Sequence, residues 1–446
     1  MFERFSDNSA YAFNTEHPSG VFYLQPGAAD RLAAALRKYG NPPSRSVLAE
    51  VVGSSDEAGF WARLLEPEDH PVVRPRGPLN VWFHISNSCN LACSYCYIPG
   101  LRKAVSAPIP GSTTEPDDVS EVIKSLHSIC VARGFGGLHL RFAGGEPLLA
   151  LDAIEQACRI SARLFAESGL SITFAVLTNG TLLPARFFSL LRRYRFTGIS
   201  ISLDGAEPLH NEYRFEGRQR SGTWKTILAN IKTLKDNGHS PYILTTLTAR
   251  NYASIDEFVD TCVEHRLGFR LSPVRDRNTP RIPGLQDSIV EKLRPIYRRL
   301  PALLPITRPI QNYANFAEWS PGVKKSTACG TCRSSLAIGQ HGGVATCQMR
   351  LDRNYGSIAR EPAVPIFDGM ISDPANWRFL APNNMSGGCT QCKWRYSCSG
   401  GCPEHTMGVY RTYDRPSPWC KLYGDFLPIY YQAIATQIKL AADRLA

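Results

Sequence analysis

The sequence predicts an α/β protein whose parallel sheet curls into part of a six-stranded barrel with helices outside. Three observations support this. Apolar runs of strand length recur at 79–85, 137–143, 171–177, 197–203, 241–247 and 267–273. Stretches of helical period fill the gaps between them, which is the pattern of βα units on a parallel sheet. The runs end in small polar or glycine-rich tags, and right-handed crossovers bring such ends to one rim, where chemistry gathers. The tags are Cys89 to Cys96 after the first run, Gly144-Gly145-Glu146-Pro147 after the second, Thr178-Asn179-Gly180-Thr181 after the third and Ser202-Leu203-Asp204-Gly205 after the fourth. The fifth run ends near Thr246 to Asn251 and the sixth at Ser272-Pro273. Each tag alone is an ordinary turn; several in succession beside a cysteine triad suggest close backbone approach to a ligand.

Residues 1–76 form a small N-terminal region that is expected to pack against the next domain or bind a peptide. There Val21-Phe22-Tyr23-Leu24 reads as a strand and Ala28 to Leu36 as a helix stopped by Gly40-Asn41-Pro42-Pro43. Phe60 to Leu65 reads as a second short helix, and Val72 to Pro78 as a linker. The barrel is expected over 77–300. Its first helix has a possible capping box, Thr114 with Asp117, and an apolar face of Val119, Val122, Ile123, Leu126 and Ile129. The fourth starts near Thr223-Trp224, buries Ile227, Ile231 and Leu234, and ends at Gly238. A cysteine-rich domain follows over 301–423, with a Pro-rich, irregular start at 300–328. Residues 424–446 read as a closing helix around Ile429, Ile434, Ile438 and Leu445.

At 446 residues the chain exceeds one ordinary core, and 43% hydrophobic with 20% charged residues is a globular composition. It contains no apolar run of membrane-spanning length and its first residues show no secretory h-region, so a cytoplasmic location is expected. Fourteen cysteines in that setting point to metal or cluster ligation rather than disulfides. Cys130, Cys158 and Cys262 stand alone in apolar helical patterns and read as buried small hydrophobes. The formal charge of +11 comes from scattered basic residues without a nucleic-acid motif, so neither nucleic acid nor membrane is an expected partner.

The organising stretch is Cys89-Asn90-Leu91-Ala92-Cys93-Ser94-Tyr95-Cys96. Three thiols at C-x3-C-x2-C suit a soft metal centre, and three ligands on a cubane iron–sulfur cluster leave one iron open. A structural zinc site would want a fourth ligand, and none lies nearby in sequence. With Tyr95 before the last cysteine, the stretch resembles the signature of radical S-adenosylmethionine (SAM) enzymes. The resemblance implies that Cys89, Cys93 and Cys96 hold a [4Fe–4S] cluster whose open iron binds SAM, and that SAM is cleaved to a 5′-deoxyadenosyl radical. It also implies roles for the rim. Gly144, Gly145 and Glu146 receive the SAM amino group, and Thr178 and Asn179 lie by the ribose. Ser202 and Asp204 match the element after the fourth strand, Arg214 holds the carboxylate, and the Tyr95 backbone approaches the adenine.

Eight cysteines follow as C-x2-C-x9-G-x4-C, then C-x2-C-x5-C-x3-C and a last one. Eight thiolates serve two cubanes or two tetrathiolate zincs equally well. From Cys332 onward the spacing is similar to the SPASM extension, which implies two auxiliary [4Fe–4S] clusters. Carried over by position, Cys329, Cys332, Cys347 and Cys402 hold one, and Cys389, Cys392, Cys398 and Cys420 the other. Cys329 is the variable member.

SPASM proteins are mostly maturases of peptides or proteins, which implies a precursor-peptide substrate, held through a leader or otherwise, and a flavodoxin- or ferredoxin-type reductant. In the sulfatase-maturing type an aspartate base follows the cysteine that matches Cys347; here Gln348 follows, and a neutral amide cannot take that proton. Gln348 and the nearby Asp352 are the candidate catalytic residues. The ending Cys398-Ser399-Gly400-Gly401-Cys402-Pro403, with Ser417-Pro418-Trp419-Cys420, looks more like maturases that cross-link side chains of ribosomally made peptides. Oxidative intramolecular cross-linking, through a carbon–carbon, ether or thioether bond, is therefore the expected reaction. Formylglycine formation or another SPASM oxidation is the alternative.

Overall fold

The structure is a computed structural model of the 446-residue chain, describing residues 2–12, 22–39, 77–98, 113–217, 219–317, 327–380 and 388–444. It contains two compact units. One comprises Val73–Asp276 with Cys329–Leu380, and the other Met1–Val72, Arg277–Ala328 and Ala381–Ala446.

The first unit is the expected α/β layer. Its strands are β1 (Leu79–Ser86), β2 (Gly137–Gly144), β3 (Ser171–Thr178), β4 (Phe196–Ser202), β5 (Tyr242–Leu247) and β6 (Gly268–Pro273). Each pairs in parallel with the next, and the bounds fall within a residue of those read from the sequence. The helices α1 (Pro116–Arg133), α2 (Leu151–Glu167), α3 (Ala185–Arg193), α4 (Trp224–Asp236) and α5 (Ile255–Glu264) are the crossovers. Period-two alternation sets the layers: Val81, Phe83 and Ile85 of β1 are fully buried on one face, while Trp82 and His84 lie on the other. The expected apolar faces of α1 and α4 are buried, as are Cys130, Cys158 and Cys262. A shared feature of α1 differs from expectation. Thr114 makes no capping box; its Oγ1 donates to the Ile85 carbonyl at 3.0 Å, and the N-cap is Glu115, with no side-chain cap bond and a proline just inside the helix. The threonine ties the helix entry to β1 instead of to its own turn.

Within this unit, two more strands continue the sheet past β1. β7 (Ser335–Ile338) runs parallel to β1 with Ser335 opposite Asn80, and β8 (Val344–Ala345) returns antiparallel to it. A further helix, α6 (Ala363–Ser372), is held near α1 by the Arg133–Asp368 ion pair, and Arg360 pairs with Asp118 of α1 at 2.7 Å. The cysteine-rich segment thus begins as an extension of the barrel sheet.

In the second unit, Phe2–Arg4, Ala10–Ala12 and Phe22–Leu24 form an antiparallel sheet next in sequence to the helix Pro26–Tyr39. Only the third strand and the helix were legible, because three-residue strands are too short to show alternation. The stop at Gly40-Asn41-Pro42-Pro43, the Phe60–Leu65 helix and residues 72–76 of the linker lie outside the described residues. The helices Leu285–Leu303 and Cys420–Asp443 pack through Tyr297, whose ring meets Phe426 edge-on at 4.9 Å. The Pro-rich stretch is less irregular than expected: Ile310–Tyr313 is helical and Ala314–Phe316 extended. Gln437, buried in the long C-terminal helix, satisfies it by accepting from Ile310 N and donating to the Leu304 and Arg308 carbonyls. Among the described residues, no helix is long and apolar enough to cross a membrane.

Candidate active site

The cysteine loop leaves β1 and is pinned on two sides. Towards the segment after β4, Ala92 N donates to the Phe215 carbonyl and Ser94 N to that of Tyr213, both at 3.0 Å, and Leu91 bridges Glu216. Towards β3, Asn90 Nδ2 donates to Thr181 Oγ1 (2.8 Å) while Asn179 Nδ2 donates to Asn90 Oδ1 (2.9 Å). The end of β2 closes from below. Gly145 N donates to Ser86 O and Glu146 N to Ser88 O, at 2.8 and 2.7 Å. A Cβ at Gly144 would stand 2.0 Å from Ser86 O and one at Gly145 2.2 Å from Ser88 O. These glycines are therefore required by the approach of the cysteine loop's own backbone, and not only by a ligand as their sequence suggested.

A cavity of about 320 Å³ opens over this rim. Cys89, Cys93 and Cys96 line it together with Tyr95, Gly144, Gly145, Thr178, Asn179, Ser202 and Arg214. The structure thus gathers the three thiols and seven of the nine residues expected to contact SAM. Glu146 and Asp204 lie behind that lining, both fully buried. Glu146 accepts from Leu148 N, Asn179 N and Thr178 Oγ1, at 3.0, 2.7 and 2.8 Å. Burial outweighs these donors and pushes its pKa up to about 7.

Asp204 organises the opposite side. It accepts from Thr246 N at 2.7 Å and from Tyr95 Oη, and its carboxylate is 3.5 Å from Arg214 Nη1. Arg214 Nη1 also donates to Tyr95 Oη at 2.7 Å, and its Nε is buried without a hydrogen-bond partner. Burial without full pairing is costly, so this guanidinium is held ready for a further acceptor. His210, not assigned a role from sequence, supports both groups. Its Nδ1 accepts from Asp204 N (3.1 Å), which leaves Nε2–H to donate to Thr223 Oγ1 (3.0 Å), which donates to the Arg214 carbonyl (3.1 Å). Burial, reinforced by the Arg214 charge, lowers its pKa to about 3, so the imidazole is neutral.

A further part of the lining comes from β6 and the β8 turn: Arg270, Ser272, Arg275, Asp276, Gln348 and Met349. Cys347 and Gln348 follow β8, and Tyr97 Oη donates to Gln348 Oε1 at 3.3 Å. Asp352 does not line the cavity; it is exposed and paired with Arg350 at 3.1 Å. His84 is buried beside Tyr97, ring centroids 6.2 Å apart, and neither of its nitrogens is in hydrogen-bond geometry. Burial lowers its pKa to about 4, with Gln348 close enough to oppose the fall.

The Radical SAM superfamily model matches residues 83–262, which span the cysteine loop, the GGE turn, Asp204 and Arg214. Residues 83–262 are a radical SAM domain. The chain is similar to the serine-type anaerobic sulfatase-maturating enzyme of Klebsiella aerogenes, 26% identical over 352 residues, covering 75% of this chain and 80% of that one. Its fold is similar to that of anSMEcpe with bound AdoMet, at TM-score 0.65, 19% identity, and 82% and 96% of the two chains. It also resembles Streptococcus suis SuiB bound to precursor peptide SuiA, at TM-score 0.50, 14% identity, and 94% and 100% coverage.

A radical SAM domain works with a [4Fe–4S] cluster and SAM, and the residues present fit both. Three thiols lining the cavity would supply the cluster's ligands, and the buried, unsatisfied Arg214 Nε is a donor suited to a carboxylate. Burial pushes Cys89 up to about 12 and raises Cys93, so deprotonation of these thiols is coupled to metal binding. Among the described residues, no three Cys, His, Asp or Glu side chains converge on one point as a mononuclear ion requires.

The remaining cysteines divide between the units. Beside the radical SAM domain, Cys332 is buried at φ +61° and Cys347 half-buried, whereas Cys329 is exposed. The other unit holds Cys389, Cys392, Cys398, Cys402 and Cys420. Ser399, Gly400 and Gly401 all have positive φ, turning the chain sharply between Cys398 and Cys402. Burial raises the Cys420 thiol, and Cys392 adds to the shift, placing those two sulfurs in each other's field.

Proposed function

We propose that this protein is a peptide maturase that removes a hydrogen atom from a side chain of a ribosomally made precursor and closes an oxidative cross-link. Gln348 supports this most directly: it lines the cavity at the position where a sulfatase-maturing enzyme is expected to carry a carboxylate. Once bound, the cluster and SAM supply a 5′-deoxyadenosyl radical. The chain's own residues then do the positioning. Arg214 takes the SAM carboxylate through Nε and Nη groups that Asp204 and Tyr95 hold in place. Gly144 and Gly145 carry the β2 end against the cysteine loop, where their backbone meets the SAM amino group, and Glu146 fixes the Thr178–Asn179 turn beside the ribose. Ser202 completes that wall.

In this reading the C-terminal cysteines hold two auxiliary clusters that accept the substrate's electron. Cys389, Cys392, Cys398 and Cys420 ligate one. Cys332, Cys347 and Cys402 ligate the other, with Cys329 as its fourth and most labile ligand. A low-potential flavodoxin or ferredoxin supplies the starting electron. The peptide substrate is also in keeping with the similar proteins, one a sulfatase-maturating enzyme and one bound to a precursor peptide.

The test is co-expression with each short open reading frame beside the gene, followed by mass spectrometry. Loss of two hydrogens from one peptide, with a new link between two side chains, is the expected result. Formylglycine in a sulfatase, the reading favoured by the Klebsiella similarity, would replace it. Anaerobic protein should contain about twelve irons per chain, as three cubanes require; four irons with two zincs would remove the auxiliary clusters from the mechanism.

A further inference from the structure

We propose that Gln348 meets the substrate as a hydrogen-bond donor and that this subsite takes a carbonyl oxygen of the peptide, an inference that rests on the peptide-substrate reading above. Tyr97 and His84 are the positioning residues that turn its amide.

His84 lies on β1, two residues after Trp82 and on the same face, and Trp82 lines the cavity. Its ring is fully buried, and neither nitrogen has a hydrogen-bond partner among the described residues. Two unpaired buried nitrogens cost stability, so their presence calls for a partner that comes with function. Two side chains stand beside the ring: Tyr97, with centroids 6.2 Å apart, and Gln348, near enough to favour a proton on the imidazole. Both line the cavity, so His84 stands one layer behind them.

Gln348 opens the short turn Gln348–Arg350 that follows β8. Its Oε1 accepts from Tyr97 Oη at 3.3 Å, longer than the roughly 2.5–3.0 Å of an ordinary O–H···O bond. The amide is therefore loosely held, and its terminal torsion is a soft one. An imidazole in either protonation state carries an N–H, and an amide oxygen has two lone pairs. A small rotation of Gln348 gives the second lone pair to His84 while Tyr97 keeps the first. Oε1 is then filled from behind, and both Nε2 hydrogens face the cavity. What they fit is an acceptor, and every residue of a peptide supplies one in its backbone carbonyl. A carboxylate at this position would take the same two donors from behind and still turn an acceptor to the substrate. The amide thus reverses the polarity of the position, from one that takes a proton to one that grips an oxygen.

The experiment uses reconstituted full-length enzyme with whichever peptide is modified on co-expression, and reads kcat/KM for that peptide. Gln348→Ala should lower it about fivefold, the scale of one neutral hydrogen bond. Gln348→Glu keeps the length and both donors behind it but sets an acceptor against the carbonyl, and should lower it roughly 10- to 100-fold. His84→Phe keeps the ring and removes both nitrogens. It should cost about three- to fivefold while the urea midpoint stays level or rises, because two unpaired buried nitrogens are gone. His84→Gln, which restores an N–H, should recover part of that loss. Added to Gln348→Ala, His84→Phe should cost nothing further, since it acts through the amide. Ester-for-amide replacement along the peptide locates the carbonyl: one position should weaken wild type and leave Gln348→Ala indifferent, because an ester carbonyl is the weaker acceptor.

A Gln348→Glu enzyme as active as wild type overturns the proposal, since the position then accepts rather than donates. So does a His84→Phe enzyme with wild-type kcat/KM, or one whose loss is matched by a lower urea midpoint. Formylglycine as the product removes the cross-linking reading and leaves the subsite to the same measurements on that peptide. Modification of no peptide at all removes both.

Discussion

The two walls of the cavity are built on opposite plans. The wall formed by the ends of β1 to β4 and the turns behind them is braced by internal hydrogen bonds, with Arg214 Nε left over as a buried donor. Glu146, Asp204, His210, Thr223 and Asn251 are all buried there and each fastens a neighbour. The wall formed by β6 and the β8 turn carries Arg270, Arg275, Asp276, Gln348 and Met349, all part-exposed. A rigid wall suits a cofactor that is the same in every turnover. A wall of longer, partly exposed side chains suits a substrate that differs between related enzymes. Changes on the first wall should therefore affect SAM, and changes on the second should affect what becomes of the peptide.

The largest effect is expected at the thiols. Cys89→Ala, Cys93→Ala or Cys96→Ala should abolish 5′-deoxyadenosine formation with dithionite and SAM, and lower iron by about four per chain. Liquid chromatography and an iron assay measure both. Retained 5′-deoxyadenosine would remove the triad from the reaction.

Next comes Arg214. A charged hydrogen bond contributes roughly 1.5–3 kcal/mol, so Arg214→Ala should weaken SAM binding about 10- to 100-fold. Arg214→Lys should recover little, because an ammonium lacks the guanidinium's planar fork. SAM titration followed by EPR gives the affinity. Equal losses of SAM affinity from Arg214→Ala and Gln348→Ala would erase the contrast between the walls. Gln348→Ala should lie lower still: one neutral hydrogen bond to Tyr97 contributes about 1 kcal/mol, or roughly fivefold in peptide turnover. SAM affinity should be unchanged by it.

The same contrast explains what could be read from the chain alone. The six strands were legible because each is at least six residues long, with β-rich apolar residues and a turn tag. The thiols and Arg214 were legible because their chemistry is carried by residue type. Glu146 and Asp204 were placed on the right rim, yet they sit one layer behind the lining, since nothing in a linear pattern distinguishes a ligand-facing carboxylate from one that braces its neighbours. His210 stood in plain view, four residues before Arg214, and its role depends on a tautomer relay that only the fold assembles. Asp276 follows no motif, and its place in the cavity lining together with Gln348 is something only the fold shows.

The smallest effect at neutral pH is expected in that relay. Thr223→Val keeps the shape and removes one neutral link between His210 and the Arg214 carbonyl. Its cost of about 1 kcal/mol corresponds to roughly fivefold in SAM affinity. Acid should expose the relay more strongly. The neutral ring accepts from Asp204 N, and protonation at Nδ1 would set two donors against each other. Because the folded pKa, about 3, lies below the ordinary 6.5, the unfolded chain binds the proton more readily. The contribution of His210 to stability is therefore fully present above pH 6.5 and is lost progressively as pH falls towards 3. Urea unfolding between pH 7 and 4 should show this loss, and His210→Gln, whose amide has both an acceptor and a donor, should flatten the slope. A slope unchanged in His210→Gln would assign it to the other histidines with lowered pKa, buried His84 and half-buried His139, and leave the SAM wall indifferent to acid.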